Sequence, residues 1–306
     1  MKIAFCCTDT RPEPWLQGLS AALPQADIQV WQPGMAPFDY AVVWAPPQQF
    51  IDEQPGLRAL FNIGAGVDGL LKLRLPPGLA VVRLEDAGMS VQMAEYVCHA
   101  LIRHFREFDA YEASARQGQW SFRKPRSRAD FPVGIMGLGV LGRRVAQAVA
   151  QFGFPVNGWS RAPRALDGVQ TYSGPQGLQD FLAASRVLVN LLPLTPDTEN
   201  ILNHDTLGRL QPGGYLINVA RGAHLVDADL LALLDAGQLA GATLDVFRTE
   251  PLPAQHPFWQ HPKITVTPHT SARTLRGETI AQVAGKIARL ARQEPITGVV
   301  DVARGY

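Results

Sequence analysis

The chain has 306 residues, of which 46% are hydrophobic and 18% charged, so it is long enough for two domains and its composition excludes an intrinsically disordered protein. The net charge of +1 excludes a broad electrostatic attraction to nucleic acid or membrane, and no apolar run is long enough to cross a bilayer. The N-terminus lacks a signal-peptide pattern, and Cys6, Cys7 and Cys98 have no metal-type spacing. We therefore expect a cytoplasmic protein without a metal site.

Short apolar runs alternate with helical patterns along the chain, which is typical of a parallel α/β fold. The early runs predict strands at Lys2–Cys7, Ala41–Trp44, Leu60–Ile63 and Val81–Leu84. Apolar residues at helical spacing then predict one long helix from about Val91 to Ala115. The loop Gly118–Asp130 follows, and we interpret its cations as solvated: Arg123, Lys124, Arg126 and Arg128.

A second alternating series begins at Phe131. It predicts strands at Val133–Met136, Val156–Trp159, Val187–Leu191, Tyr215–Val219, Ala242–Val246 and Ile264–Thr267, and a last helix at about Ala272–Arg292. A glycine-rich turn lies in this series, in mid-chain rather than at the start, so the simplest organisation is one α/β domain inserted into another. We predict a substrate domain at 1–97 and 275–306 and an inserted nucleotide-binding domain at 98–274.

The glycine-rich turn has the spacing G-x-G-x-x-G, in the sequence Gly137, Leu138, Gly139, Val140, Leu141 and Gly142. It lies between a predicted strand and an amphipathic helix, which is the context that dinucleotide binding requires. Gly137 permits the tight turn, Gly139 lets a pyrophosphate approach the backbone, and Gly142 lets the helix pack on the strand. We expect two Rossmann-like or flavodoxin-like α/β domains with parallel sheets.

The tip of the next strand indicates which dinucleotide is preferred. NAD sites place an Asp or Glu about 20 residues after the glycines, where it binds the ribose 2′-hydroxyl. Here Ser160, Arg161 and Arg164 occupy the tip, and no acid is present. Cations and a hydroxyl suit a 2′-phosphate, so we predict NADPH, with NADH as the weaker cofactor.

Three further motifs end strands of the second series: Asn218–Gly222, Leu244–Phe247 with Glu250 shortly after, and Thr267–Thr270. Ligands of open α/β sheets bind beyond the carboxyl ends of the strands, so Arg221, Asp245, Glu250 and His269 are expected to converge there.

Together with Asn62–Asp68, these motifs resemble the D-isomer-specific 2-hydroxyacid dehydrogenase family, most closely its glyoxylate- and hydroxypyruvate-reducing group. The resemblance covers nearly the whole chain. Supporting stretches are Val43–Pro47, Arg83–Met89, Asn190–Pro196 and Ala303–Tyr306.

The resemblance implies reduction of small 2-keto acids, from glyoxylate to glycolate and from hydroxypyruvate to D-glycerate. Arg221 would hold the substrate carboxylate and keto oxygen with its planar fork of donors. His269 would be the acid that protonates the oxygen, and Glu250, bonded to the other ring nitrogen, would favour its proton-donating form.

The resemblance also implies further contacts. The backbone N–H groups of Ala65 and Gly66 would bind the substrate carboxylate, and Trp44 would wall the pocket. Asp245 would touch the nicotinamide carboxamide, and the remaining cofactor contacts would be Leu192, Pro193 and Ala220. A homodimer is expected, with the helix after Val91 as an interface element.

Some polar residues are interpreted as incidental. These are the histidines without a matching motif, namely His99, His104, His204, His224, His256 and His261. Thr270 and Ser271 replace the apolar residue and alanine that often follow the catalytic histidine in the family. We interpret them as caps of the last helix.

Two alternatives stay open. One is a related dehydrogenase that works in the oxidising direction on another substrate. The other is a dinucleotide-sensing scaffold that retains the same residues but binds partners.

Overall fold

The computed structural model describes residues 1–302, 304 and 305, so Ala303 and Tyr306 of the terminal motif lie outside the described residues. The chain divides into two compact units, Met1–Met89 with Arg273–Tyr306, and Ser90–Ala272. The strands are β1 (Lys2–Cys7), β2 (Asp27–Val30), β3 (Tyr40–Trp44), β4 (Ala59–Asn62), β5 (Ala80–Val82), β6 (Val133–Met136), β7 (Val156–Ser160), β8 (Gln170–Ser173), β9 (Val187–Asn190), β10 (Gly214–Asn218), β11 (Leu239–Leu244) and β12 (Ile264–Val266). The helices are α1 (Glu13–Ala22), α2 (Gln48–Asp52), α3 (Met89–Phe105), α4 (Phe108–Arg116), α5 (Val140–Gln151), α6 (Gly174–Ala183), α7 (His204–Leu207), α8 (Asp227–Asp235) and α9 (Arg276–Ala291).

The first unit is built on a parallel sheet with the strand order β2-β1-β3-β4-β5. Successive side chains of a strand point to opposite faces, and here both faces are buried. Ile3 and Phe5 pack in one core with residues of α1 and α9. Ala4 and Cys6 pack in a second core that includes residues of α2. This two-sided burial explains why β1 is an uninterrupted apolar run from Ile3 to Cys7.

The second unit, Ser90–Ala272, contains a parallel sheet with the strand order β12-β11-β10-β9-β6-β7-β8. Val133 and Ile135 of β6 face a core shared with α3 and α5, while Met136 faces a core shared with α6 and α8. The strand order reverses beside β6, because β7 lies on one side of it and β9 on the other. A ligand site is expected at such a switch point, and the glycine loop directly follows β6.

The predicted α/β class with parallel sheets is confirmed. Every predicted strand is present with small shifts at its ends, but β2 and β8 were not predicted. The prediction of one helix over Val91–Ala115 is wrong, because the chain breaks between α3 and α4 at Glu107, which has a left-handed φ of 55°. The last helix begins at Arg276, with Leu275 at its N-cap, so Thr270 and Ser271 do not cap it.

The loop before β6 also differs from its interpretation. Arg123 and Arg126 each lie 2.8 Å from the Glu107 carboxylate, and the guanidinium of Arg128 lies over the rings of Phe105 and Phe154. Three of the four cations are therefore tied to the structure rather than only solvated.

The unit boundaries fall after Met89 and after Ala272, whereas the sequence placed them after residues 97 and 274. Ser90–Val97 groups with the second unit because α3 is one continuous helix whose buried face, including Met93 and Val97, packs in that unit's core. The division of labour between a substrate unit and a nucleotide unit stays a prediction. No helix among the described residues is long and apolar enough to span a membrane.

Candidate active site

The glycine loop after β6 forms the tight turn that the motif predicts. Gly137 has a φ of 107°, and a Cβ there would lie 2.9 Å from the Leu191 carbonyl oxygen. A Cβ on Gly142 would lie 1.8 Å from the Gly137 carbonyl oxygen, so only glycine lets α5 begin this close to the turn.

Gly139, unlike Gly137 and Gly142, has open space beside its Cα atom. Among the described residues, no atom would lie within 4 Å of a Cβ there. Gly139 is the N-cap of α5 and provides no side-chain cap to the first N–H groups of the helix. The loop is therefore open where a pyrophosphate would approach the positive end of the helix dipole, and it fits a dinucleotide.

The tip of β7 lies beside this loop, since Arg164 Nη1 donates to the Leu138 carbonyl oxygen at 3.1 Å. Arg161 and Arg164 are both exposed. Ser160 is buried, and its hydroxyl donates to the Ala162 carbonyl oxygen at 2.8 Å, which holds the turn that carries both cations. Two exposed guanidinium groups at a strand tip without a carboxylate fit the dianionic 2′-phosphate of NADPH.

His269 and Glu250 form the central pair of the site. His269 Nδ1 lies 2.8 Å from Glu250 Oε2, and the two side chains are 45% and 37% exposed. The other carboxylate oxygen of Glu250 accepts the Phe247 N–H at 2.9 Å, so the carboxylate is itself held in place. With Nδ1–H donated to Glu250, Nε2 is the ring nitrogen left for a substrate oxygen.

The backbone of His269 has a positive φ of 51°, which is uncommon for a residue with a side chain. Asp245, fully buried, holds this turn. Its carbonyl accepts the His269 N–H at 2.8 Å, and its carboxylate accepts the N–H groups of Thr270 and Ser271, both at 2.8 Å. Thr270 and Ser271 thus act through their backbone N–H groups, which present His269 at the end of β12.

Two further side chains extend this arrangement. The Thr267 hydroxyl donates to Asp245 Oδ1 at 2.6 Å, and the Tyr96 hydroxyl lies 2.5 Å from the Thr267 oxygen. Because the Thr267 hydrogen is committed to Asp245, Tyr96 is the donor in that second bond. Burial raises the pKa of Tyr96 to about 12, so it keeps the hydrogen that this bond needs. The sequence did not predict a role for Tyr96 or Thr267.

Arg221 follows β10, and its neighbour Gly222 explains how its loop approaches the others. A Cβ on Gly222 would lie 1.8 Å from the Phe247 carbonyl carbon, so the two backbones are in direct contact. Phe247 in turn donates its N–H to Glu250. The loops of Arg221, Glu250 and His269 therefore form one continuous set of contacts. Arg221 Nη1 donates to the Ala220 carbonyl oxygen at 2.7 Å.

The remaining predicted substrate residues lie in the first unit, where they are neighbours. Trp44 ends β3 and is 41% exposed, and a Cβ on Gly64 would lie 2.5 Å from its ring. Asn62 holds the adjoining turn by donating to the carbonyl oxygens of Gly64 and Gly66, at 3.0 and 2.8 Å. The turn of Ala65 and Gly66 is thus fixed below an exposed indole. That these residues act on the same substrate as Arg221 and His269 stays a prediction.

His224 was interpreted as incidental, but it is fully buried and hydrogen-bonded to the side chain of Asn190. Asn190 is bonded to Asn218, which is also fully buried. The sequence shows Asn190 and Asn218 near the ends of two predicted strands, but it does not show that they lie beside His224.

Comparisons with known proteins agree with this geometry. The sequence profile of the family described as D-isomer specific 2-hydroxyacid dehydrogenase, NAD binding domain, matches residues 98–271. The chain is 48% identical to glyoxylate/hydroxypyruvate reductase A of Serratia proteamaculans and 46% identical to that of Yersinia enterocolitica, with 100% of each chain covered.

Solved structures show the same similarity. A D-isomer specific 2-hydroxyacid dehydrogenase from Xanthobacter autotrophicus, in complex with NADPH and MES, has a TM-score of 0.95 and 38% identity, covering 100% of this chain and 99% of that one. An NADPH-dependent glyoxylate/hydroxypyruvate reductase from Sinorhizobium meliloti, in complex with NADP and sulfate, has a TM-score of 0.93 and 38% identity at the same coverage. With these relatives, and with the His269–Glu250 pair in the same unit as a glycine loop that fits a dinucleotide, the chain belongs to the D-isomer specific 2-hydroxyacid dehydrogenase family.

Proposed function

We propose that this protein is an NADPH-dependent reductase of small 2-keto acids, which converts glyoxylate to glycolate and hydroxypyruvate to D-glycerate. The observation that carries the proposal is the 2.8 Å pair of His269 and Glu250 at the end of β12. This pair lies in the unit whose glycine loop is accompanied by two exposed arginines and no acid. The names of the relatives in Serratia and Sinorhizobium, a reductase of this type and an NADPH-dependent one, support it.

The cofactor would be held by residues of the second unit. The open backbone at Gly139 and the N-terminus of α5 would bind the pyrophosphate, and Arg161 and Arg164 would bind the 2′-phosphate. The glycine-loop residues Leu138, Val140 and Leu141 and the strand-end residues Leu192, Pro193, Ala220 and Asp245 would complete the contacts. When bound, NADPH supplies the hydride that adds to the keto carbon.

The chain's own residues would orient the keto acid and supply the proton. Arg221 has a planar set of donors that suits a carboxylate beside a carbonyl oxygen, and the N–H groups of Ala65 and Gly66 would bind the same carboxylate. Trp44 would close the pocket. His269 would give a proton from Nε2 to the keto oxygen, while the Nδ1 bond to Glu250 keeps the ring oriented.

The direct test is a panel of initial rates with NADPH and NADH against glyoxylate, hydroxypyruvate, pyruvate and phenylpyruvate. We expect oxidation of NADPH with glyoxylate and hydroxypyruvate, and weaker rates with NADH. Faster reduction of NADP⁺ by an alcohol substrate would favour the oxidising alternative, and absence of turnover with tight NADPH binding would favour the sensing scaffold.

A homodimer belongs to the same proposal. Trp120 and Phe122, in the loop after α4, are 102% and 82% exposed. Aromatic side chains are enriched in protein interfaces, so this loop and α3 are the elements we expect to meet a second copy of the chain. The double variant Trp120→Ser/Phe122→Ser should shift the mass measured by light scattering toward the monomer. Phe152→Ser, at a residue that is 46% exposed, is the control that should not.

We also place the protein in the cytoplasm. Cys6 and Cys98 are buried free cysteines, and burial raises the pKa of Cys6 to about 11, which suits thiols that serve as small hydrophobic residues in a reducing compartment. Fractionation of cells that express the chain tests this placement.

A further inference from the structure

Three buried polar side chains meet at the carboxyl ends of the two central strands β9 and β10. Asn190 and Asn218 end these strands and are direct register partners, so their side chains lie on the same face of the sheet. His224 follows in the loop after β10, and all three residues are fully buried. We call these three residues the Asn–Asn–His cluster.

The cluster is joined by two bonds from one amide group. Asn190 Nδ2 donates to Asn218 Oδ1 at 3.0 Å and lies 2.9 Å from His224 Nδ1. Both amide hydrogens of Asn190 are therefore used inside the cluster. Buried polar groups that are fully satisfied in this way make a rigid network, because any displacement leaves a donor or an acceptor unpaired.

Backbone groups fix the orientation of both amides. Asn190 Oδ1 accepts the Leu192 N–H at 3.2 Å, and Asn218 Oδ1 accepts the Ala220 N–H at 3.3 Å. Rotating either amide would place an NH₂ group against an N–H. Since Asn190 then presents N–H to His224, Nδ1 of the ring must be the acceptor and Nε2 must carry the hydrogen. Nε2 donates this hydrogen to the Pro193 carbonyl oxygen, which lies 3.3 Å from the nitrogen.

The outer bonds of the cluster reach two different loops. The loop after β9 is held at the Leu192 N–H and the Pro193 carbonyl. The loop after β10 is held at the Ala220 N–H and at the Arg221 carbonyl, which accepts from Asn218 Nδ2 at 3.2 Å. The loop after β9 carries the proposed cofactor contacts Leu192 and Pro193. The loop after β10 carries the proposed substrate arginine, Arg221, next to the proposed cofactor contact Ala220.

We propose that the Asn–Asn–His cluster is a positioning device that fixes the backbone of Arg221 relative to the cofactor loop at Leu192 and Pro193. The inference rests on the proposed function, because it assigns the cluster to the same reaction. Errors of about 1 Å in the placement of reacting groups reduce rates strongly, so a rigid buried link between the two loops has a direct kinetic consequence.

The contacts of the cluster with the two loops can be tested separately, through the KM for glyoxylate and the Kd of NADPH. Asn218→Asp keeps the acceptor for Ala220 but places an oxygen against the Arg221 carbonyl. It should raise the KM for glyoxylate at least tenfold while the Kd of NADPH, measured by its fluorescence, changes less than twofold. His224→Phe keeps an aromatic ring but removes the bonds to Asn190 and to the Pro193 carbonyl, so it should raise the Kd of NADPH about tenfold and lower kcat/KM by more. His224→Gln can donate again to the Pro193 carbonyl and should recover most of the NADPH affinity.

The matched control is His104→Phe, the same change at another inward-facing histidine of the same unit. Its ring stacks on Tyr215 with centroids 4.0 Å apart, and its Nε2 is buried without a hydrogen-bond partner among the described residues. We expect kinetic constants within twofold of the parent chain, with thermal midpoints recorded for every variant.

The outcomes separate this inference from the function itself. If the parent chain reduces glyoxylate and both cluster variants keep KM, kcat and NADPH affinity within twofold, the inference is overturned. Equal loss in His224→Phe and His104→Phe would also overturn it, as would loss without recovery in His224→Gln. If the parent chain reduces no keto acid, the proposed function fails, while the NADPH affinities of His224→Phe and His224→Gln still decide the role of the cluster at the cofactor loop. Should His224→Phe not fold, Asn218→Asp decides the inference through its KM.

Discussion

The two parallel sheets of this molecule differ in how their strands end. In the unit Ser90–Ala272, the neighbouring strands β9, β10 and β11 end with or are followed by Asn190, Asn218 and Asp245, all fully buried. Each of these side chains accepts at least one backbone N–H from the loop that follows its own strand or a neighbouring one. In the other unit, β1 and β3 end with Cys7 and Trp44, and Asn62 of β4 provides the comparable arrangement.

The difference shows how a buried polar side chain at the end of a strand fixes the backbone of the loops beside it. A buried amide or carboxylate must be hydrogen-bonded, so it dictates the position of the backbone groups that satisfy it. An apolar strand end buries area without fixing the direction of the chain beyond it. Of the side chains expected to perform chemistry, Arg221 follows the polar strand end Asn218, and the turn of His269 is held by Asp245, which follows β11. Trp44, the expected pocket wall, is itself a strand end.

The largest effect is expected at His269, whose turn is held by the buried side chain of Asp245. His269→Ala should lower kcat about 10² to 10⁴-fold, because it removes the proposed proton donor. NADPH affinity should stay unchanged, since the glycine loop and the β7 tip are untouched. Steady-state rates and NADPH fluorescence measure the two quantities. His99→Ala, at an exposed histidine, is the control that should retain turnover. Normal turnover in His269→Ala would refute the acid role.

Asp245→Asn tests whether the polar strand end acts through His269. The amide keeps the size of the side chain but places an NH₂ group against backbone N–H groups that the carboxylate now accepts. Because an unpaired buried donor costs about 1 to 3 kcal/mol, we expect kcat to fall roughly 10 to 100-fold. A variant with unchanged kcat would show that the turn at His269 does not depend on Asp245.

The exposed arginines at the tip of β7 are expected to determine the preference for NADPH over NADH. Replacing Arg161 and Arg164 together by serine should weaken NADPH binding roughly 10 to 100-fold, because charge-assisted hydrogen bonds contribute about 1.5 to 3 kcal/mol each before solvent screening. NADH binding should change little, since it lacks the 2′-phosphate. The ratio of kcat/KM for the two cofactors measures the effect, and an unchanged ratio would contradict the assignment.

Asn62→Asp tests a comparable polar strand end in the other unit, at the end of β4. The change removes the N–H donors to the Gly64 and Gly66 carbonyl oxygens while keeping the shape of the side chain. We expect a smaller effect, a rise of about threefold to tenfold in the KM for glyoxylate with kcat retained, because it loosens uniform substrate binding alone. A loss in kcat equal to that of Asp245→Asn would remove the distinction between the units.

The smallest effect concerns a buried polar group away from the strand ends. Burial, and then the neighbouring Arg126 and Arg186, lower the pKa of His104 to about 4 from an ordinary 6.5. Between these values the unfolded chain binds a proton that the folded chain does not, so stability should fall as the pH is lowered from about 6.5 to about 4. In His104→Phe the thermal midpoint should depend less steeply on pH over that window. Equal slopes would contradict this.

The central strands and the contact between His269 and Glu250 could be predicted from sequence. β6, β9 and β10 are buried at every position, which gives continuous apolar runs closed by recognisable motifs. The missed strands β2 and β8 are sheet edges with the sequences DIQV and QTYS, whose partial exposure leaves no apolar run to detect. His269 and Glu250 were expected as partners because the resemblance to the family implies it, and their 2.8 Å contact agrees.

Other features depend on contacts between residues that are distant in sequence, which the spacing of apolar residues does not show. The helical pattern continues through Glu107, yet the chain breaks there, and the Glu107 carboxylate pairs with Arg123 and Arg126 more than ten residues away. His224 looked incidental because nothing in its local sequence shows that Asn190 lies beside it. Long-range pairing of buried polar groups is set by strand order, which has to be known before the partners can be named.

Hydride transfer to the keto carbon is the central claim, and isotope transfer tests it most directly. NADPH deuterated at both C4 positions of the nicotinamide is incubated with glyoxylate and the protein, and the product is analysed by mass spectrometry and NMR. The account predicts glycolate with a single deuterium on C2. Glycolate without deuterium, or NADPH bound with no glycolate formed, would contradict it.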